Sequence, residues 1–102
     1  MSFVKREFQI GSAQVSCSFG KPTPDGDVFR CDYTIEFPLR TRAFRAIGVD
    51  EIQSLLLAMQ MAHTDLLASP ENQATGVSWL GMTDLGLPLP PGIGPDDFKA
   101  KH

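Results

Sequence analysis

Through the first half of the chain apolar residues return at every second position and turn residues interrupt them, which predicts a series of β-strands. Val4, Phe8 and Ile10 run into Gly11-Ser12, which fits a two-residue type II′ hairpin turn, and Ala13, Val15, Cys17 and Phe19 alternate beyond it. Such a loop fixes the register: Ile10 opposes Ala13, Phe8 opposes Val15, Arg6 opposes Cys17 and Val4 opposes Phe19. Arg6 is the charged misfit on an apolar face. Residues 20–27, with Pro22, Pro24 and Asp25-Gly26, have the chemistry of a tight return. Phe29, Cys31, Tyr33, Ile35 and Phe37 then alternate with Arg30, Asp32, Thr34 and Glu36 in the clearest strand. Pro38 ends it or places it at an edge. Residues 41–47 form a weaker fourth strand with two possible facings: Arg42, Phe44 and Ala46 inward, or Ala43, Arg45 and Ile47 inward.

The period then changes. Asp50-Glu51-Ile52-Gln53 has the form of a capping box, and Ile52, Leu55, Leu56, Met59, Ala62, Leu66 and Leu67 make one stripe at helical spacing. Ser69-Pro70 stops that helix. Val77-Ser78-Trp79-Leu80 reads as a short last strand, and from Gly81 the chain is rich in Gly and Pro without a period. The order ββββαβ predicts an α+β domain: an antiparallel sheet of about four to five strands with one long amphipathic helix across one face. Residues 1–80 are expected to form the domain, with 81–102 a tail partly ordered or packed on the domain or on a neighbouring subunit.

The chain has 102 residues, 42% hydrophobic and 21% charged, which fits one domain with a small core and little room for a deep cleft. Its net charge of −3 hides a division. Residues 1–45 carry seven Lys or Arg against five acids; residues 46–98 carry seven acids and no cation; Lys99 and Lys101 return +2. The basic excess is small and interleaved with acids, which speaks against nucleic acid, whose phosphates call for clustered cations. No apolar run resembles a signal peptide or reaches the ~20 residues of a membrane span, so a cytoplasmic protein without a membrane partner is expected. Cys17 and Cys31 are then free thiols, and their spacing matches neither a zinc ribbon nor a redox pair.

Three stretches carry a family resemblance: Phe29-Arg30-Cys31-Asp32-Tyr33-Thr34-Ile35, then residues 46–59 with Gly48-Val49-Asp50 and Gln53, then Trp79-Leu80-Gly81. Together they resemble an uncharacterised family of small bacterial proteins, a domain of unknown function. That family has an aromatic-Arg-Cys strand, a Gly-Val-Asp-x-x-Gln helix start and a Trp-Leu-Gly ending. The resemblance implies a bacterial origin and a small α+β domain. It supplies no activity.

Among chemistry-bearing residues, His63 falls near the centre of the apolar stripe and is expected to face the sheet. If Phe19 pairs with Phe29, Cys17 and Cys31 stand opposite each other below it. The trio then reads either as a thiolate nucleophile with a histidine base or a partial metal site, or as a packed core whose histidine bonds a backbone carbonyl. The second reading is preferred, because no fourth ligand is evident; neither a metal nor a cofactor is expected. Arg40, Arg42 and Arg45 precede the helix start, where an anion is favoured, yet arginines on an edge strand more often pair with local acids. Asp25-Gly26-Asp27 is a turn without the downstream carboxylate of a calcium loop. Leu57 and Met61 lie opposite the main stripe and, with Phe98 in the tail, offer a patch for a second subunit. The reading that follows is a small non-enzymatic protein acting through protein–protein contacts, with homodimerisation expected. The alternative is a ligand-binding domain or minor enzyme built on Cys17, Cys31, His63 or the arginines.

Overall fold

The first hairpin forms in the register its turn dictates. In the computed structural model, which describes residues 3–94 and residue 97, β1 (Val4–Ile10) and β2 (Ala13–Phe19) pair antiparallel with Ile10 opposite Ala13 and Val4 opposite Phe19. Gly11 takes φ +59, as the first central residue of a type II′ turn requires, and Ser12 stays out of the left-handed region.

The next connection departs from the expected tight return. Thr23–Asp25 forms a short strand, β3, that turns at Gly26 and pairs with the start of β4 (Val28–Glu36): Thr23 opposes Arg30 and Asp25 opposes Val28. With those positions taken, β2 pairs further along β4, so Phe19 opposes Tyr33 and Cys17 opposes Ile35. The expected Phe19–Phe29 register is therefore displaced by four residues. An even displacement keeps every side chain on its face, which is why Cys31, Tyr33, Ile35 and Phe37 are still buried. The other edge of β4 is covered from Phe29 to Glu36 by β5 (Thr41–Gly48). This pairing chooses between the two facings: Arg42, Phe44 and Ala46 stand opposite Ile35, Tyr33 and Cys31 and share their face.

Asp50 caps α1 (Glu51–Ala68) by accepting from the Gln53 amide at 2.7 Å, while the Gln53 side chain accepts from the Val49 amide at 2.7 Å. Ser69 ends α1 and caps a second, short helix, α2 (Pro70–Ala74), accepting from the Asn72 amide. Pro70 suits the first turn because its missing N–H would have no partner there. Asn72 then accepts from the amide of Val77 and so ties the helical segment to β6 (Val77–Ser78), which pairs with Gln9 and Ile10 of β1. The result is an α+β fold: among the described residues, an antiparallel sheet of six strands with α1 lying over β4 and β5.

The helix is rolled relative to the stripe of large apolar residues. Ser54, Ala58, Ala62 and Leu66 are its fully buried positions, whereas Ile52 is 78% and Leu56 40% exposed. Small side chains let the helix sit close to the sheet. At Gly48 a Cβ would stand 2.5 Å from the Ser54 amide nitrogen, so the glycine and the small stripe together set this approach.

Beyond β6 the chain turns tightly at Leu80-Gly81, where Trp79 and Met82 exchange two backbone hydrogen bonds of 2.9 Å. Leu80 has φ +52, and its side chain is exposed. The following segment, here the strap, crosses the helix side of the sheet: Leu85 is completely buried, and Leu87 and Leu89 pack on the core. Part of the sequence expected as a tail thus completes the hydrophobic layer.

Candidate functional site

Cys17, Cys31 and His63 do not converge. Cys31 lies four residues along β4 from Ile35, the partner of Cys17, a separation of about 13 Å at the rise of an extended strand. Both cysteines are free and buried. Burial, reinforced by the charge of Asp65 and opposed by Arg6, pushes the Cys17 thiol up to about 12. Burial and then Asp32 raise Cys31. A thiol so held is a poor nucleophile at neutral pH, because the thiolate is the reactive form. The Cys31 thiol instead donates to the carbonyl of Gly20 at 3.4 Å, where the chain passes from β2 toward β3.

His63 is buried, but on the flank of α1 rather than over the sheet centre. Its Nδ1 lies 3.2 Å from the Pro88 carbonyl of the strap. Among the described residues no group of three metal-binding side chains forms.

The three arginines separate as well. Arg40 makes a two-pronged bond to Glu71, 2.9 Å on each arm, and stacks on Phe37. This bond holds the Glu71 carboxyl below its usual range. Arg42, on the helix side of β5, donates from Nε to Asp65 of α1 at 2.8 Å. The same Asp65 oxygen accepts from the buried Tyr33 hydroxyl. Burial first, then that bond to Asp65, raises the Tyr33 pKa and keeps it a hydrogen-bond donor. Arg45 projects from the opposite face of β5, across from Asp32. A shallow, open depression of about 350 Å³ lies there, lined by Asp32, Tyr33, Thr34, Ala43, Phe44 and Arg45. Arg45, the cation among these lining residues, has an acid directly opposite.

The misfit Arg6 has a defined task. Its guanidinium lies 3.8 Å from the centre of the Trp79 ring and donates to the carbonyls of Leu85 and Gly86, both at 3.1 Å. It anchors the strap.

The expected interface residues are placed differently from the sequence pattern. Leu57 and Met61 are half-buried and pack against the core, because the roll of α1 turns their side toward the sheet. Phe98 lies outside the described residues. Exposed apolar side chains occur at several places, Leu39 and Leu80 among them, and one set lies where β5 passes into α1: Val49 is 71% exposed, with Ile52 and Leu56 on one flank of the first helical turns. Exposed Asp50, Glu51 and Gln53 border them. Sequence reasoning missed this group by assigning Ile52 and Leu56 to the core. The run of small residues Ser54, Ala58 and Ala62, four apart, was the signal for the buried face.

No helix among the described residues is long and apolar enough to cross a membrane. No curated protein and no solved structure matches the chain. A family model does, over residues 4–89, a span that includes the strap through Leu89, and the chain belongs to that family, a domain of unknown function (DUF6968).

Proposed function

We propose that this protein is a non-enzymatic binding module that acts through protein–protein contacts, with its contact surface at the β5–α1 corner. The observation that carries this reading is the exposure of Val49, Ile52 and Leu56 beside an acidic border, in a molecule whose other large helix residues are mostly covered. An apolar group rimmed by polar residues is the usual form of an interaction site. Its border calls for a partner surface that is apolar and basic. The buried free thiols fit a reducing compartment, and a cytoplasmic location belongs to this proposal. The reading as a ligand-binding domain or enzyme draws no support from the geometry, since the thiols stand apart and Arg40 and Arg42 are occupied by carboxylates.

The test is affinity capture from extract of the source cells, comparing the immobilised wild-type protein with Ile52→Asp, followed by reconstitution with the purified partner. A partner that binds the wild type and is lost in the variant supports the proposal. Stabilisation by a small metabolite in a thermal-shift screen, with no partner captured, overturns it.

A further inference from the structure

β5 is an edge strand. Its pairing among the described residues is with β4 alone, and Thr41, Arg42, Ala43, Phe44 and Arg45 are all exposed in succession. Natural edges are commonly shortened, covered, or interrupted by proline or unpaired charge. This one runs eight residues without proline. Of its two charges, Arg42 is held from within by Asp65 at 2.8 Å, and Arg45 stands opposite Asp32 of β4, which itself pairs with Arg30 at 3.3 Å. The opposite edge differs, for β6 closes it over Gln9 and Ile10, and Lys5, Arg6 and Glu7 follow one another on what remains.

The sequence Thr41-Arg42-Ala43-Phe44-Arg45-Ala46-Ile47 is complementary to itself. In an antiparallel pair related by a two-fold axis at Phe44, Phe44 meets Phe44 of the second copy. Arg42 then meets Ala46, Ala43 meets Arg45, and Thr41 meets Ile47. Every arginine faces a small apolar residue and no two face each other, which avoids the penalty of like charges directly opposite. Moving the axis to Arg45 sets two arginines against each other. Moving it to Ala43 or Ala46 gives up the aromatic pair and shortens the ladder.

The helix layer permits the same arrangement. α1 lies over β4 and β5, so its axis stands roughly half a strand spacing inside β5. Adding the β5–β5 spacing between copies places the two α1 axes about 10 Å apart, the separation of packed helices. The flank of α1 that meets the second copy is the one away from His63, whose side is occupied by the strap. At the helical rotation of about 100° per residue, Leu57 and Met61 lie about 120° and 160° from His63. These half-buried side chains would close the seam above Phe44.

We propose that two copies of this chain join through their β5 edges, antiparallel and centred on Phe44, to form one continuous sheet. The proposal rests on the reading of the protein as an interaction module and assigns the β5 edge to a second copy, leaving the Ile52 flank to another partner. Light scattering and sedimentation across a concentration series test it. A chain of 11.2 kDa is expected to approach twice that mass as concentration rises. Ala43→Arg sets an arginine against Arg45 at two places per dimer, and Ala43→Asp sets a carboxylate there. The first is expected to raise the dimer dissociation constant about tenfold or more and the second to lower it several-fold, on the scale of two cross-strand pairs. Circular dichroism checks that both variants are folded. A monomer at every concentration overturns the proposal, as does a dimer equally strong in both variants. Ile52→Asp separates the two readings: it is expected to leave self-association unchanged while abolishing capture of the other partner. Capture without any dimer would end this inference and leave the interaction reading intact.

Discussion

Replacing Gly86 with alanine tests whether the strap is an integral part of the fold. Gly86 has φ +70, and a Cβ there would stand 2.4 Å from Cζ3 of Trp79 and 2.9 Å from Nη1 of Arg6. The left-handed backbone alone costs an alanine about 1 kcal/mol. The overlap adds to this, since the Trp79 ring is held by Arg6 at 3.8 Å and cannot swing aside without breaking that stack. If the strap moves instead, two Arg6 bonds to its carbonyls are strained and Leu85 loses part of its burial. Complete burial of such a side chain is worth about 1.5–3 kcal/mol. A total loss of about 2–4 kcal/mol is therefore expected, a drop in Tm on the order of 10–25 °C for a domain of this size.

Gly92→Ala supplies the control. That glycine has φ +83, but a Cβ added there would have nothing within 4 Å, so only the backbone cost of about 1 kcal/mol applies. Urea unfolding followed by the fluorescence of Trp79, the one tryptophan of the chain, reads both variants and reports directly on the strap's anchor. Equal destabilisation of the two variants would refute the reasoning, because it would mean that contact with Trp79 and Arg6 adds nothing.

Gly48→Ala is expected to cost more than about 2 kcal/mol in urea unfolding, since its Cβ would meet the Ser54 backbone nitrogen at 2.5 Å and backbone cannot step aside as a side chain can. Asp65→Asn is expected to lose about 1–3 kcal/mol, because Arg42 and Tyr33 both donate to that carboxylate; Arg42→Ala in the same background should add less than it does alone, which a double-mutant cycle measures. Cys17 is expected to react with a thiol reagent only as fast as the protein opens. Its pKa of about 12 lies above that of an unfolded thiol, so its contribution to stability is complete below the unfolded value of about 8.5 and is lost as pH rises toward the folded one. Cys17→Ala should flatten the alkaline decline of stability measured by denaturant titration. Leu80→Asn is expected to stabilise the protein by about 0.5–1 kcal/mol in thermal unfolding, as asparagine tolerates the left-handed backbone that Leu80 holds at φ +52 with its side chain exposed.

What the sequence made legible follows the reach of each signal. The β1–β2 register depends on a two-residue turn, so local chemistry decided it. The capping box at Asp50 and Gln53 is equally local and is present as expected. The β2–β4 register depends on eight intervening residues, and there Thr23–Asp25 formed a strand that composition, dominated by its prolines, had concealed. The roll of α1 was misjudged for a different reason. Transfer free energy ranks Ile52 and Leu56 above Ser54 and Ala58, but the face of a helix that approaches a sheet most closely is selected by volume as well as by hydrophobicity. Ionic links such as Asp65 to Arg42 span elements whose separation no local pattern specifies.

The division of charge along the chain also acquires a different meaning once its partners are placed. Read as sequence, a basic first half and an acidic second half suggest two opposed surfaces that attract partners of either sign. In the folded molecule Arg40 holds Glu71 and Arg42 holds Asp65, so two of the strongest links between the halves lie within the protein and fasten α1 and α2 to the sheet. Arg6 is likewise engaged by Trp79 and the strap carbonyls. Two of the seven acids of residues 46–98, Asp65 and Glu71, thus join the second half of the chain to the first. These paired charges are not available to a partner, and two surfaces remain for association: the apolar flank at Val49, Ile52 and Leu56 with its acidic border, and the open backbone edge of β5. Specificity at the first then comes from shape and its acidic border, and at the second from strand register, which is why single substitutions at Ile52 and Ala43 are expected to act independently.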